Sequence, residues 1–218
     1  MKNRTFGVIG LGRFGYHMAK TLAEGGAEVI AVDNDEGVVR EVGEFVTEAY
    51  ALDATDEKAL KESGIIEADT VIVSIGEKVD ASFLVVALLL GLGVKDIIAK
   101  GINPLHGKAL LKMGVRKVVF PEMDSAVRAA HSLLVTGLSN EIIFAPGHSI
   151  YEIEAPAAMK GRTLADLDLR ARFNLNVLLI KHKDGGVKSP GPGDMIQDGD
   201  SLLAMGDPKS LLKMEDDL

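Results

Sequence analysis

Along the first part of the chain, short apolar runs alternate with segments whose apolar positions are spaced as in helices. The runs predict strands at 6–9, 28–32, 48–52, 70–74, 96–100 and 116–120. Helices are predicted directly after the first run and at 37–44, about 56–63, 79–92, 104–113 and about 124–138. This alternation predicts a doubly wound, Rossmann-like parallel sheet, an α/β fold with its ligand at the carboxyl ends of strands one and four.

The pattern changes near Ser139, where strands become shorter and turn signals denser. Strands are predicted at 150–153, 177–181 and 201–205, with a short helix or turn near 164–169 and a closing helix at 210–214. This pattern predicts a small α+β module. We therefore expect two domains, 1–138 and 139–218.

The first strand runs into a glycine turn, Gly10-Leu11-Gly12-Arg13-Phe14-Gly15, and the second strand is followed by Asp33. In a dinucleotide fold the first glycine permits the turn, the second lets a phosphate approach the backbone, and the third lets helix and strand pack closely. The N–H groups that open the helix favour an anion. Asp33 lies where a carboxylate accepts hydrogen bonds from a ribose diol. Strand, helix and acid together predict adenine-nucleotide binding. A turn used only for packing is the alternative.

Composition excludes several other classes. The net charge of −8 argues against nucleic acid or an anionic membrane as a partner. The chain has no cysteine, so disulfides and thiol catalysis are excluded. The longest uncharged run, 81–94, is shorter than the roughly 20 residues of a membrane helix. Lys2 and Arg4 lead directly into the first strand, so we expect no signal peptide.

Further motifs carry a resemblance to a known family. They are the glycine turn with Arg13-Phe14, then Val32-Asp33, Asp53-Ala54-Thr55, Ser74-Ile75-Gly76 and Val119-Phe120-Pro121-Glu122. With these in place the whole chain resembles the regulator-of-K⁺-conductance (RCK) family, and most of all its TrkA/KtrA-type cytoplasmic subunits. The tail from Gly161 to Asp200 is similar to that family's C-terminal ligand domain.

The resemblance implies a protein that is not an enzyme and that regulates a membrane-embedded bacterial potassium transporter from the cytoplasmic side. Subunits would form dimers that assemble into a ring, expected to be an octamer. ATP, ADP or NAD(H) in the N-terminal cleft would change the ring's conformation. A divalent or monovalent cation and, at the C-terminal domain, cyclic di-AMP are further ligands that the resemblance implies.

The expected nucleotide contacts lie in the turn, behind the second and third strands, at the switch point and on strand five. They are Gly10, Leu11, Gly12, Arg13, Phe14, Asp33, Asn34, Asp53, Ala54, Ser74, Ile75, Gly76 and Lys100. Because ATP and ADP differ by one phosphate, we expect Arg13 to contact phosphate, within the subunit or across a dimer interface. A solvated arginine is the alternative.

Other positions keep two interpretations. Asp53 either approaches the adenosine or caps the next helix. Residues 74–76 either cover adenine or form an ordinary strand-to-helix turn. Lys100 contacts the nucleotide or an interface, or is an edge lysine that extends toward solvent. Glu122 resembles a family acid that holds a cation between subunits, although a negative charge at a helix N-terminus also explains it.

Two other functions fit the same fold. An NAD-dependent oxidoreductase would need a polar group beside the nicotinamide, and we expect no Ser/Tyr/Lys arrangement of the short-chain dehydrogenase type. Tyr16 and Tyr50 precede the later strands, and Tyr151 is followed four residues later by Ala155. A free-standing nucleotide sensor without a transporter is the other alternative. The five histidines show no close pairing that predicts a metal site.

Overall fold

The computed structural model describes residues 4–76, 78–145 and 147–217, so Lys2 lies outside the described residues. The chain divides into two compact units, one up to Pro121 and one from Glu122 onward. The sequence predicts domains 1–138 and 139–218, and that boundary stays a prediction.

The first unit is a parallel sheet with helices between its strands. Its strand order is β3-β2-β1-β4-β5-β6, and every neighbouring pair is parallel. This confirms the predicted doubly wound fold. The elements are β1 Thr5–Ile9, α1 Arg13–Glu24, β2 Glu28–Asp33, α2 Glu36–Val42, β3 Glu48–Ala51, α3 Glu57–Glu62, β4 Thr70–Val73, α4 Val79–Gly91, β5 Ile97–Lys100, α5 Pro104–Met113 and β6 Lys117–Val119.

Burial on both faces explains why the central strands are apolar. All four residues of β4 are buried, and β1 ends in three buried residues. Helix starts are fixed by side-chain caps: Asp35 accepts from the first N–H groups of α2, Asp56 from those of α3 and Asn103 from α5. Strand order reverses direction at β1 and β4, which places a crevice at their carboxyl ends.

The second unit contains an antiparallel sheet, in the order β10-β9-β11-β8-β7. Its core includes Tyr151, Ile153, Leu167, Phe173 and Ile180. The elements are α6 Pro121–Leu134, β7 Leu138–Ala145, β8 His148–Glu154, α7 Leu164–Leu167, α8 Leu169–Phe173, β9 Asn176–Lys181, β10 Val187–Lys188, β11 Ser201–Gly206 and α9 Pro208–Asp217.

One predicted helix extends too far at its C-terminal end. The helix expected to reach 138 ends at Leu134, and strand β7 begins at Leu138. Gly137 lies between them with a φ of +76°, a conformation that side chains disfavour and that ends the helix. β7 was missed because its Ile142, Ile143 and Phe144 are exposed while charged Glu141 is buried, which reverses the usual pattern.

The remaining strands and helices of the second unit were predicted within a few residues, except helix α8 and the two-residue strand β10, which were missed. Within the described residues, none of the helices has the length and apolar character needed to cross a membrane.

Candidate functional site

The turn after β1 is held against the neighbouring strands by its backbone. Gly10 has a φ of +87°, which favours glycine, and its N–H donates to the carbonyl of Val32 at 2.8 Å. A Cβ at Gly10 would lie 3.0 Å from the carbonyl carbon of Ser74. The N–H of Ser74 in turn donates to the carbonyl of Ile9 at 2.7 Å. The turns that follow β1 and β4 are therefore packed together at the switch point.

The space available for a side chain differs between Gly15 and Gly12. A Cβ at Gly15 would overlap the carbonyl oxygen of Gly10, so helix α1 can pass this close to the turn only with glycine there. A Cβ at Gly12 would meet nothing within 4 Å, and Gly12 is the N-cap of α1 without a side-chain hydrogen bond. The space beside Gly12 is therefore open, and the first N–H groups of α1 have no partner within the helix, an arrangement that favours an anion.

Asp33 ends β2 beside the glycine turn. Its Oδ2 accepts a hydrogen bond from the N–H of Leu11 at 2.5 Å, and its Oδ1 accepts from Asp35 N–H at 3.0 Å. The half-buried carboxylate thus connects the end of β2 to the turn. An ionised carboxylate offers about four acceptor positions, so two remain for a ribose diol. Asn34, the next residue, is exposed.

Asp53 follows the edge strand β3 and does not cap α3, since Asp56 accepts those hydrogen bonds. The Oδ1 of Asp53 accepts from the hydroxyl and the N–H of Thr55, at 2.7 and 2.9 Å. These bonds hold the pKa of the Asp53 carboxyl below its usual value, and the charge of Lys78 lowers it further. Asp53 is exposed, whereas Ala54 beside it is buried.

The turn after β4 brings a cation to the switch point. Ser74 is buried, while Ile75 and Gly76 are half-buried. A Cβ at Gly76 would lie 2.9 Å from the Nζ of Lys100, so the ammonium group of Lys100 lies against this turn. Lys100 ends β5, the strand next to β4. The structure therefore places Lys100 with Ser74, Ile75 and Gly76.

The other predicted contacts lie around this crevice. Arg13 is the first residue of α1 and is exposed. Phe14 is half-buried and packs on the core beneath β1 and β2. Glu122 is an exposed residue in the first turn of α6 and belongs to the second unit.

Lys78 was missed by the sequence analysis. It is the exposed N-cap residue of α4, and its charge lowers the pKa of Asp53. A signal was available, because a cation that follows the strand-four turn lies at the switch point of a doubly wound sheet. With Arg13, Lys78 and Lys100 on the elements that surround it, the crevice is suited to an anionic ligand with a polar, diol-bearing end.

Among the described residues no group of three or more His, Cys, Asp or Glu is arranged to hold a metal ion. In the second unit, Arg170 and Arg172 lie on α8, and Asn174 follows it in a left-handed conformation. Arg172 is exposed and lies 4.6 Å above the ring of Phe173, so packing on the surface of the unit accounts for its position.

Two family models match the chain. The TrkA-N domain matches residues 6–121 and the TrkA-C domain matches residues 148–218. The first match therefore ends where the first compact unit ends, and the second covers most of the second unit.

Two relatives from Bacillus subtilis (strain 168) are similar over the full length. Ktr system potassium uptake protein C is 39% identical over 97% of this chain and 96% of its own length. Ktr system potassium uptake protein A is 37% identical over 100% of this chain and 98% of its own length.

The GsuK RCK domain has the same fold, with a TM-score of 0.65 at 18% identity over 98% of this chain and 47% of that one. The family models and the two relatives carry the assignment, since a likeness at this identity concerns the fold alone. The chain belongs to the RCK family of TrkA- and Ktr-type potassium uptake proteins.

Proposed function

We propose that this protein is the cytoplasmic regulatory subunit of a potassium uptake system and is controlled by an adenine nucleotide bound at the β1–α1 turn. The observation that carries the proposal is the geometry of that turn. Gly15 permits the close helix, Gly12 leaves its N-terminus open, and Asp33 stands beside both. The match to Ktr system potassium uptake proteins supports the partner, a membrane-embedded transporter subunit.

The nucleotide is oriented by its two ends. Phosphates would lie over Gly12 and the N-terminus of α1, because the unpaired N–H groups and the helix dipole favour negative charge there. The ribose would lie at Asp33, and a 2′-phosphate would be repelled by this acid, which favours NAD over NADP. Residues 74–76 would cover the adenine. A solved structure described as the GsuK channel bound to NAD has the same fold, with a TM-score of 0.63 at 16% identity.

The basic residues give the crevice a means of sensing the ligand. A ligand shifts a conformational equilibrium only by binding two states with different affinity. Arg13 stands at the end of α1, where a terminal phosphate would extend, and its planar guanidinium suits phosphate oxygens. We therefore assign Arg13 to the group that differs between ATP and ADP. Lys100, placed at the Gly76 turn, would contact the nucleotide from the β5 side.

Regulation requires assembly, since one subunit can hardly transmit its ligand state to a channel. The proposal includes homodimers that form a ring, with an octamer as the expected size. A cation at Glu122 and cyclic di-AMP at the second unit remain predictions from the family resemblance. An oxidoreductase is the alternative, and incubation with NAD and a broad substrate panel, followed by the absorbance of reduced cofactor, tests it. Co-purification of a membrane protein separates a transporter subunit from a free-standing sensor.

The first experiment is mass spectrometry of nucleotide released from the purified protein, followed by calorimetric titration with ATP, ADP and NAD. Asp33→Ala should weaken all three ligands by about 1.5–3 kcal/mol, the usual worth of a charged hydrogen bond. Arg13→Ala should keep adenosine recognition and remove the difference between ATP and ADP. Arg40→Ala and Glu24→Ala are matched controls, because both residues are exposed and lie away from the N-terminus of α1.

Three outcomes would contradict the proposal. Saturating adenine nucleotides that fail to bind the wild-type protein would remove the ligand. Full discrimination between ATP and ADP in Arg13→Ala would remove the sensor. An assembly whose size and shape in solution ignore bound nucleotide would remove the regulatory step, even if the nucleotide binds.

A further inference from the structure

The turn between β5 and α5 is closed by a histidine. His106 lies in the first turn of α5, and its N–H donates to Oδ1 of the N-cap residue Asn103 at 2.9 Å. The imidazole reaches back, and its Nδ1 accepts from the N–H of Ile102 at 3.2 Å. This reciprocal pair resembles a capping box, in which a side chain of the first turn accepts from the backbone that precedes the helix. His106 therefore ties the start of α5 to the chain that leaves β5.

The surroundings of His106 suit the neutral imidazole. The residue is 3% exposed, and Phe83 of α4 packs edge-to-face on it with ring centres 4.8 Å apart. Because Nδ1 accepts, the proton of the neutral ring is on Nε2, which is buried without a hydrogen-bond partner among the described residues. Protonation would make Nδ1 a donor that faces a second donor, the N–H of Ile102. The positive end of the α5 dipole also opposes the added charge.

Burial lowers the pKa of His106. Charged residues on the neighbouring elements include Lys78 and Asp80 at the start of α4, Lys100 on β5, Lys108 on α5 and Lys117 on β6. None of the described charged residues is among the causes of the shift. A histidine whose pKa folding lowers contributes stability above the unfolded value of about 6.5, and this stability is lost as pH falls through the folded value. The hydrogen bond from Ile102 is therefore present at neutral pH and is weakened by acid.

The same turn follows a residue of the proposed nucleotide site. Lys100 ends β5, two residues before Ile102, and its Nζ lies against the turn at Gly76. Gly101 stands between them and donates its N–H to the carbonyl of Val119 at 2.8 Å. The bonds from Gly101 and Ile102 together fix the chain directly after Lys100. Loss of the bond to His106 would therefore act on the segment that sets the position of Lys100.

We propose that His106 is a positioning residue that makes nucleotide binding sensitive to acid, an inference that rests on the proposed nucleotide site. The neutral ring holds the β5–α5 turn, so that Lys100 is placed at Gly76 to meet an anionic ligand. When the ring is protonated, the bond from Ile102 is lost, the turn opens and Lys100 is no longer held there. Nucleotide affinity therefore falls as the solution is acidified.

Calorimetric titration of the full chain with NAD, ATP and ADP at about pH 7.5 and about pH 5 tests the proposal. NAD is the most informative ligand, because its diphosphate has no proton that titrates in this range. The affinity of the wild-type protein for each ligand it binds should fall at least about threefold toward the lower pH. His106→Asn should remove most of this fall for NAD, because Oδ1 of asparagine can accept from Ile102 in place of Nδ1 and does not titrate.

Three further variants separate the acceptor from packing. His106→Leu fills the site but cannot accept, so it should bind NAD at the higher pH about as weakly as the wild type does at the lower pH. Lys100→Met should weaken binding at the higher pH and lose most of the dependence on pH, because Lys100 carries the effect to the ligand. His17→Asn is the matched control, since His17 is exposed on α1, and it should keep the wild-type dependence on pH.

NMR of the ring nitrogens in the ligand-free wild-type protein gives a readout that needs neither a ligand nor a variant that folds. Nδ1 of His106 should carry no proton at neutral pH. Its protonation should coincide with faster hydrogen exchange of the Ile102 amide and with the loss of NAD affinity. A proton on Nδ1 at neutral pH would overturn the inference.

The titrations distinguish this inference from the proposed function. NAD affinity that does not change with pH overturns the inference, as does a dependence on pH that His106→Asn retains in full. In both cases the nucleotide still binds, so the proposed function stands. Failure of all three nucleotides to bind at either pH overturns the proposed function and this inference together.

Discussion

The two units differ in where they place their acidic side chains. In the first unit, strand β4 is buried along its whole length, and Asp33 and Asp53 lie at the ends of strands. In the second unit, Glu141 and Asp200 are buried in the interior. The first unit forms its candidate site from turn backbone that glycines shape. The second unit forms its polar clusters from side chains that meet across elements, each buried acid contacting a histidine, at 131 and at 182. Glycine spacing can be read along a chain, but a contact between distant side chains cannot.

The largest expected loss of stability tests whether glycines shape the turn backbone of the first unit. Gly15→Val should destabilise the first unit by at least about 3 kcal/mol, because its Cβ would overlap the Gly10 carbonyl oxygen and neither backbone can yield cheaply. Gly12→Ala is the matched change within the same turn and should leave stability nearly unaltered, since its Cβ meets open space. It should still lose nucleotide affinity. Chemical denaturation and nucleotide titration measure the two effects, and equal stability losses would contradict the assignment of roles.

The sequence predicted the fold of the first unit well for this reason. Gly10, Gly12, Gly15 and the acid after β2 fix a backbone shape, and the apolar strands fix the sheet that carries it. The position of Lys100 against Gly76 needed the structure, because the pairing of β5 with β4 brings them together. In the second unit β7 was missed, since an inward charge and outward apolar residues reverse the pattern that identifies strands.

A buried acid of the second unit gives the next largest effect. Asp200 is 1% exposed, its Oδ1 lies 2.9 Å from Nδ1 of His182, and its Oδ2 accepts from the N–H of Gln197 at 2.8 Å. Asp200→Ala should cost about 2–4 kcal/mol of unfolding free energy, because it leaves a part-buried donor without its acceptor.

Asp198→Ala is the control in the same segment. Asp198 pairs with Lys160 at 3.1 Å, but its side chain is 73% exposed, so its loss should be nearly neutral. If Asp198→Ala and Asp200→Ala lower the unfolding free energy by similar amounts, burial of an acid does not determine its contribution to the stability of the second unit.

The ion pair of Asp96 with Arg116 in the first unit should matter less and should depend on pH. Hydrogen bonds from Arg116 and Thr70 hold the pKa of Asp96 below its usual value, against the opposing effect of partial burial. A lowered pKa stabilises the fold above the unfolded value of about 3.9, and this stability is lost as pH falls through the folded value. The Arg116 side chain is 56% exposed, so screening reduces the gain.

Asp96→Asn should therefore cost about 0.5–1 kcal/mol near neutral pH, and the difference from wild type should fade as the pH falls below about 4. Denaturant titrations over this range measure it. A cost that stays constant with pH would assign the effect to packing rather than to charge.

The smallest expected change in unfolding free energy is that of Tyr151→Phe, and its sign shows whether the hydroxyl is hydrogen-bonded. The phenol is fully buried, and its hydroxyl has no hydrogen-bond partner within the described residues; Ser149 is near it without meeting hydrogen-bond geometry. Burial raises the pKa of Tyr151, more than the nearby serine lowers it. An unpaired buried hydroxyl stabilises nothing, so Tyr151→Phe should leave the unfolding free energy unchanged or raise it by up to about 1 kcal/mol. A loss of more than about 1 kcal/mol would mean that the hydroxyl is hydrogen-bonded in solution. In that case the contrast between the units would rest on the placement of the buried acids.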